Sequence, residues 1–209
     1  TFQVAVLASI IPAVLAVVVL ALGARDAIVK KRSTLPVFSM QGLDGRFKLF
    51  LLVLVLFTLG NSSDAFIILR AQERGLNVLH VMFMMMTFSF IYAILSGPLG
   101  ALSDRIGRRK LIIAGWLAYA LVYLGFALST TGWQIWALFG LYGVYYAATE
   151  GVAKALIADL VPPERRGTAY GLYNAAIGLT VFPASLIAGL LWQGLGSWHG
   201  LGPSAPFYF

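Results

Sequence analysis

The amino-acid sequence predicts an all-α integral membrane protein, a bundle of transmembrane helices. Of its 209 residues, 60% are hydrophobic and only 11% charged. A soluble domain runs nearer to about half apolar and about a quarter charged. Six stretches reach the length of roughly 20 apolar residues that crosses a ~30 Å hydrocarbon core. They are rich in Leu, Ala, Val, Ile, Phe and Gly and lack the alternation of an outer-membrane barrel strand, so each reads as a helix.

Taken in order, 2–23 holds no ionisable side chain. It is too long for a signal-peptide core and has no basic region before it, which makes it a true span. The connection 24–47 is polar, basic and proline-broken, the composition of a linker on the membrane surface. The second span, 48–69, carries Asp64 inside it. Spans 78–102, 111–129 and 168–192 contain no Asp, Glu, Lys or Arg, and 133–158 contains Glu150 and Lys154. The last span repeats small residues four apart around Pro183, a spacing suited to close helix packing. The tail 193–209 ends in aromatic residues of the kind found where a helix enters a bilayer, and reads as the approach to a further span.

Charge sets the expected orientation. Alternate connections carry Arg25, Lys30, Lys31, Arg32, Arg46, Lys48, Arg105, Arg108, Arg109, Lys110, Arg165 and Arg166, against Arg70 and Arg74 on the other side. Positive-inside counting puts 24–47, 103–110 and 161–167 in the cytoplasm and 70–77, 130–132 and 193–209 outside. The residue before 2–23 is then outside, so an earlier span is expected. The net charge of +7 is in this way a topology signal, and no nucleic-acid partner is needed to explain it. With zero cysteines and only His80 and His199, thiolate metal sites and paired haem ligation are excluded, and no cofactor or metal is expected.

One connection is specific. Gly100-Ala101-Leu102-Ser103-Asp104-Arg105-Ile106-Gly107-Arg108-Arg109-Lys110 resembles the signature loop of the major facilitator superfamily at every defined position. The segment 158–167, Ala-Asp-Leu-Val-Pro-Pro-Glu-Arg-Arg-Gly, resembles the matching loop between helices ten and eleven of that family. The resemblance implies a C-terminal half of a major-facilitator-type fold. In it, 1–23 would be the last helix of the N-terminal bundle, 24–47 the central cytoplasmic loop, and 48–209 about five of the six C-terminal helices. On physical grounds Gly100 and Gly107 suit close backbone approach and a sharp reversal. Asp104, alone among four cations, suits a helix N-terminus, and the span beginning near Pro162 supplies one. The resemblance further implies a conformational latch of Gly100, Asp104, Arg105, Gly107, Arg108 and Arg109, with Arg108 reaching Asp159.

Ionisable groups in hydrocarbon cost several kcal/mol and are functional candidates by default. At 1.5 Å per residue, Asn61 lies ~20 Å and Asp64 ~24 Å from the edge at Lys48. Counted from Trp133, Tyr142 lies ~14 Å, Glu150 ~25 Å and Lys154 ~31 Å deep. Asn61 and Tyr142 therefore come to similar depth, while Glu150 falls near the opposite face, far from Asp64. Tyr142, Tyr146, Glu150 and Lys154 form one stripe at four-residue spacing. By resemblance this stripe lines a central cavity with Asn61 and Asp64. Packing between helices is the plain reading of the tyrosines, and an ion pair with Arg70 the plain reading of Asp64.

No Walker loop, intramembrane His pair or nucleophile–base set is present, so the chain is not expected to be an enzyme. The leading expectation is a secondary transporter that moves a small-molecule substrate by alternating access, with direction open between proton-coupled efflux of amphipathic compounds, uptake of a small solute and facilitated diffusion. It would sit in the cell membrane among lipid, completed by the N-terminal half of the same protein. A non-transporting scaffold, sensor or assembly factor on the same fold is the alternative.

Overall fold

A computed structural model describes residues 2–23, 40, 42–61 and 63–209. The chain divides into two compact units, Thr1–Pro36 and Val37–Phe209. In the first, α1 (Phe2–Gly23) is a continuous helix of 22 residues with Pro12 inside it. The basic run 24–39 lies outside the described residues.

The second unit holds α2 (Gly45–Leu59), α3 (Ala65–Glu73), α4 (Val78–Ile106), α5 (Arg108–Leu128), α6 (Gly132–Leu160) and α7 (Arg166–Gln193), with 3-10 turns at Pro163–Arg165 and Ala205–Phe207. Local chemistry sets several of the helix starts. Asp44 caps α2 by accepting from the Arg46 amide at 3.1 Å, and Asn77 caps α4 by accepting from the His80 amide at 2.9 Å. Thr131 and Gln134 form a reciprocal capping box at the start of α6. Only Gly107 separates α4 from α5, at φ +99°, a conformation that suits glycine.

The second span differs from the sequence expectation of one helix over 48–69. It is interrupted between Leu59 and Ala65, giving helices of 15 and 9 residues. Gly, Asn and Ser are poor helix formers whose short polar side chains compete for the backbone, and here they stand together.

α6 is the hub, packed against α4 on one side and α5 on the other, while α2 pairs with α7. The α4–α6 crossing is close because Gly143 has no side chain. A Cβ there would lie 3.0 Å from the Phe88 carbonyl oxygen. One buried cluster gathers Ile67, Met84, Tyr123, Phe126, Ile135, Tyr142 and Phe207. A second gathers Phe47, Leu51, Ile112, Val152, Ile157 and Tyr173. α7 runs unbroken through Pro183 and buries Ala184 and Ala188, two of its repeated small residues.

Three helical stretches, Val78–Ile106, Arg108–Leu128 and Pro163–Gln193, are long and apolar enough to cross a membrane. α6 has 29 residues but carries three tyrosines, two tryptophans, Glu150 and Lys154 along its length, and is not among them. Leu195 and Trp198 form an isolated β-bridge, and Phe207 turns back to bury its ring against Tyr123 and Phe126.

Candidate functional site

The broken span leaves a backbone carbonyl without its helical partner and places two polar side chains beside it, and tyrosines of neighbouring helices donate to all three. The Tyr119 hydroxyl donates to the Gly60 carbonyl at 3.0 Å, and Tyr123 donates to Asn61 Oδ1 at 3.1 Å. Tyr142 Oη donates to Asp64 Oδ1 at 2.9 Å. Non-helical backbone at membrane depth is tolerated where protein or a cavity supplies such partners.

Beside this break lies a cavity of about 390 Å³, walled by α2, α5, α6 and α7. Asn61, Asp64, Tyr146, Glu150 and Lys154 line it, as do Trp116, Tyr145 and Asn174. Glu150 Oε1 accepts from Lys154 Nζ at 2.9 Å, and its other oxygen accepts from the Tyr92 hydroxyl at 2.8 Å, which ties α4 to α6.

Two sequence expectations are corrected here. Tyr142 does not line the cavity: it is fully buried, its ring packed among Phe126, Phe139 and Tyr145, with only its hydroxyl directed to Asp64. Glu150 and Asp64 both border this cavity. Finally, Asp64 is not the partner of Arg70. Arg70 is buried, pairs with Glu73 at 2.6 Å, and donates to the carbonyls of Ala127 and Ser129 and to Ser204 Oγ. Residues six apart do not share a helix face, so Arg70 points elsewhere. It satisfies carbonyls at the end of α5 instead, a role with no local signal in the sequence.

At the opposite end, Arg108 Nε lies 2.6 Å from Asp159 Oδ2, and its Nη2 lies 3.3 Å from Asp104 Oδ1. Asp104 is not found at the start of α7. It sits in the last turn of α4, one turn before Arg108 across the Gly107 reversal, and that guanidinium is the cation it meets. The N-cap residue of α7, Arg165, makes no side-chain capping bond, and Arg166 donates to the Ala158 carbonyl at 2.8 Å. Arg105 and Arg109 are exposed. Gly100 has open space where a Cβ would stand, so close approach does not account for it. Tyr92, Trp116, Tyr119 and Tyr123 touch or line the candidate site without having been named from the sequence, since their partners lie on other helices.

The family model described as Major Facilitator Superfamily matches residues 49–209, the broken span, the cavity, the α4–α5 loop and the tail together. The chain belongs to the Major Facilitator Superfamily. It is 40% identical over 160 residues to an uncharacterised MFS-type transporter of Methanocaldococcus jannaschii, covering 74% of this chain and 40% of that protein. It is 37% identical over 93 residues to the class C tetracycline resistance protein of Escherichia coli, covering 44% of this chain and 23% of that one. It is 29% identical over 119 residues to Multidrug resistance protein 3 of Bacillus subtilis, over 56% of this chain and 23% of the relative. The chain therefore spans less than half the length of these relatives. No solved structure matches it. Membership in the superfamily and the apolar helices make this a membrane protein, a transmembrane helical bundle in which α4–α5 carries the signature loop.

Proposed function

We propose that this chain is the cavity-bearing part of a secondary transporter that moves a small solute by alternating access, coupled to protons and running outward across the cell membrane. The observation that carries the proposal is the interruption at 60–64, which sets an ionisable group, Asp64, on the wall of a cavity walled by four helices. Interrupted helices beside a cavity are a recurring way to build a transport site, because they free polar groups within the membrane. Asp64 is the proposed proton carrier; Asn61, Tyr146 and Glu150 complete the polar wall and Tyr142 holds the carboxylate from behind. Several relatives are named for tetracycline or multidrug resistance, which favours outward movement of amphipathic compounds. The Arg108–Asp159 and Arg108–Asp104 contacts serve as the latch on the basic side, which faces the cytoplasm, and they stabilise one conformer. No covalent chemistry is required of any residue. Membrane lipid and the remaining part of the protein complete the assembly.

The test is a thermal-shift screen of small solutes on the full-length protein, followed by flux in proteoliposomes under an imposed pH gradient. Solute movement that follows the gradient and exceeds that of protein-free vesicles supports the reading. A stabilising solute that never moves under any gradient contradicts it and favours a sensor.

A further inference from the structure

We infer that Tyr92 is a positioning residue that ties the cavity wall to the latch, acting through Glu150; the inference rests on the proposed role of the Arg108 contacts as a latch. It begins from what holds Glu150. This carboxylate lines the cavity from α6, and one of its oxygens accepts from Lys154 on the same helix. Its other oxygen accepts from the Tyr92 hydroxyl of α4 at 2.8 Å, and Tyr92 itself does not line the cavity. The Tyr92 ring is flanked on two sides. It lies parallel to Phe88 and edge-on to Tyr146, each with ring centroids 6.4 Å away. A ring held in this way directs its hydroxyl, so the bond to Glu150 depends on the separation of α4 and α6.

That separation has a consequence at the basic side. α4 and α6 cross where Gly143 faces the Phe88 carbonyl, and from there both helices run on toward the basic side. The Tyr92–Glu150 bond comes next, ~6 Å further along α4 and ~10 Å along α6 at 1.5 Å per residue. The latch lies beyond it on the same two helices. Asp104 is ~18 Å past Tyr92 on α4, and Asp159 ~14 Å past Glu150 on α6. Arg108 contacts both of these carboxylates, and only Gly107 separates its helix from α4. Packed helices move against each other as rigid bodies. A rotation of α4 against α6 about the Gly143 crossing therefore opens the bond and the latch together. The latch opens more widely, because it is farther from the pivot. Tyr92 and Arg108 in this way stabilise one conformer from two levels.

The experiment is the rate of maleimide labelling of Ser103→Cys in the full-length protein in detergent, free of other reactive cysteines; this chain contributes none. Ser103 is buried near the end of α4, so its labelling follows opening of the basic side. Ser129→Cys, buried at the outer end of α5, is the control. Tyr92→Phe should speed labelling of Ser103→Cys about threefold to tenfold, the size of one net hydrogen bond present in one conformer only. Labelling of Ser129→Cys should not change. Added to Glu150→Ala, Tyr92→Phe should have little further effect, because its acceptor is already gone. An unchanged rate at Ser103→Cys overturns the inference. An equal rise at both cysteines also overturns it, since Tyr92→Phe then loosens the whole bundle. So does a full effect of Tyr92→Phe on top of Glu150→Ala. If a solute moves under a pH gradient while Tyr92→Phe leaves Ser103→Cys unaffected, the inference falls and the transport reading stands. If the labelling shifts as expected and no solute is ever moved, the inference stands and the transport reading falls.

Discussion

The Tyr142 hydroxyl donates to the Asp64 carboxylate across 2.9 Å and so joins the middle of α6 to the break in the α2–α3 span. Tyr142 is wholly buried, and 78 residues separate it from its acceptor. The ring contributes to the core and the hydroxyl fixes the orientation of the acid. One residue in this way connects packing to the cavity.

Tyr142→Phe keeps the ring and removes the donor. It should cost about 1–3 kcal/mol, the range for leaving a buried polar partner unsatisfied. The drop should appear in the thermal unfolding midpoint of the full-length protein in detergent. Tyr119→Phe, which strands the Gly60 carbonyl, should behave alike; unchanged midpoints in both would mean that water satisfies the break.

The glycines separate by their surroundings. Gly143→Ala places a methyl 3.0 Å from the Phe88 carbonyl oxygen and should cost about 1–3 kcal/mol by forcing α4 from α6. Gly100→Ala, in open space inside α4, should be neutral or should stabilise by up to about 1 kcal/mol through helix propensity. Unfolding midpoints of the two variants decide this, and the reverse order would contradict the packing described.

Much of this architecture is visible in the sequence, and the reason it is not all visible is physical. Apolar length marks where α4, α5 and α7 run, because crossing hydrocarbon demands it. The polar ends of these helices extend past the apolar stretches, as with 103–106 of α4, because a helix does not stop where hydrocarbon does. The break in 48–69 has a compositional trace in Gly60 and Asn61. Length alone cannot separate one helix from two halves whose exposed groups are satisfied by Tyr119, 59 residues away. The α4–α5 loop is legible as a motif, and Gly107 behaves as its residue type requires. Asp104 meets Arg108 only four residues on, whereas the bonds of Arg70 to Ala127, Ser129 and Ser204 are set by tertiary packing, which leaves no periodic signal.

Arg70 bridges α3, the end of α5 and the tail. Arg70→Met should cost about 2–3 kcal/mol, given its charge-assisted bonds to the carbonyls of Ala127 and Ser129 and to Ser204. Limited proteolysis of the full-length protein should show cleavage within 195–203 that wild type resists. Resistance equal to wild type would mean that Phe207 alone anchors the tail.

The contacts of the proposed latch are partly exposed: the side chains of Asp104 and Asp159 are 65% and 53% accessible, so each pair is worth at most about 1 kcal/mol. That is about a fivefold change in conformer ratio, enough to shift access without unfolding. Arg108→Ala combined with Asp159→Ala should cost less than the sum of the single changes, because the two residues share one contact. Cysteine accessibility on the basic side measures it; strict additivity would reduce the loop to a topology signal.

The role of Asp64 is tested by ethidium flux in proteoliposomes of the full-length protein, measured with and without an imposed pH gradient. Wild type should accumulate ethidium against its concentration when the gradient is present. Asp64→Asn should lose that accumulation while retaining slow downhill exchange, since the cavity remains but the proposed proton carrier is gone. Gradient-driven accumulation by Asp64→Asn at the wild-type level would contradict the assignment of Asp64 as the coupling residue.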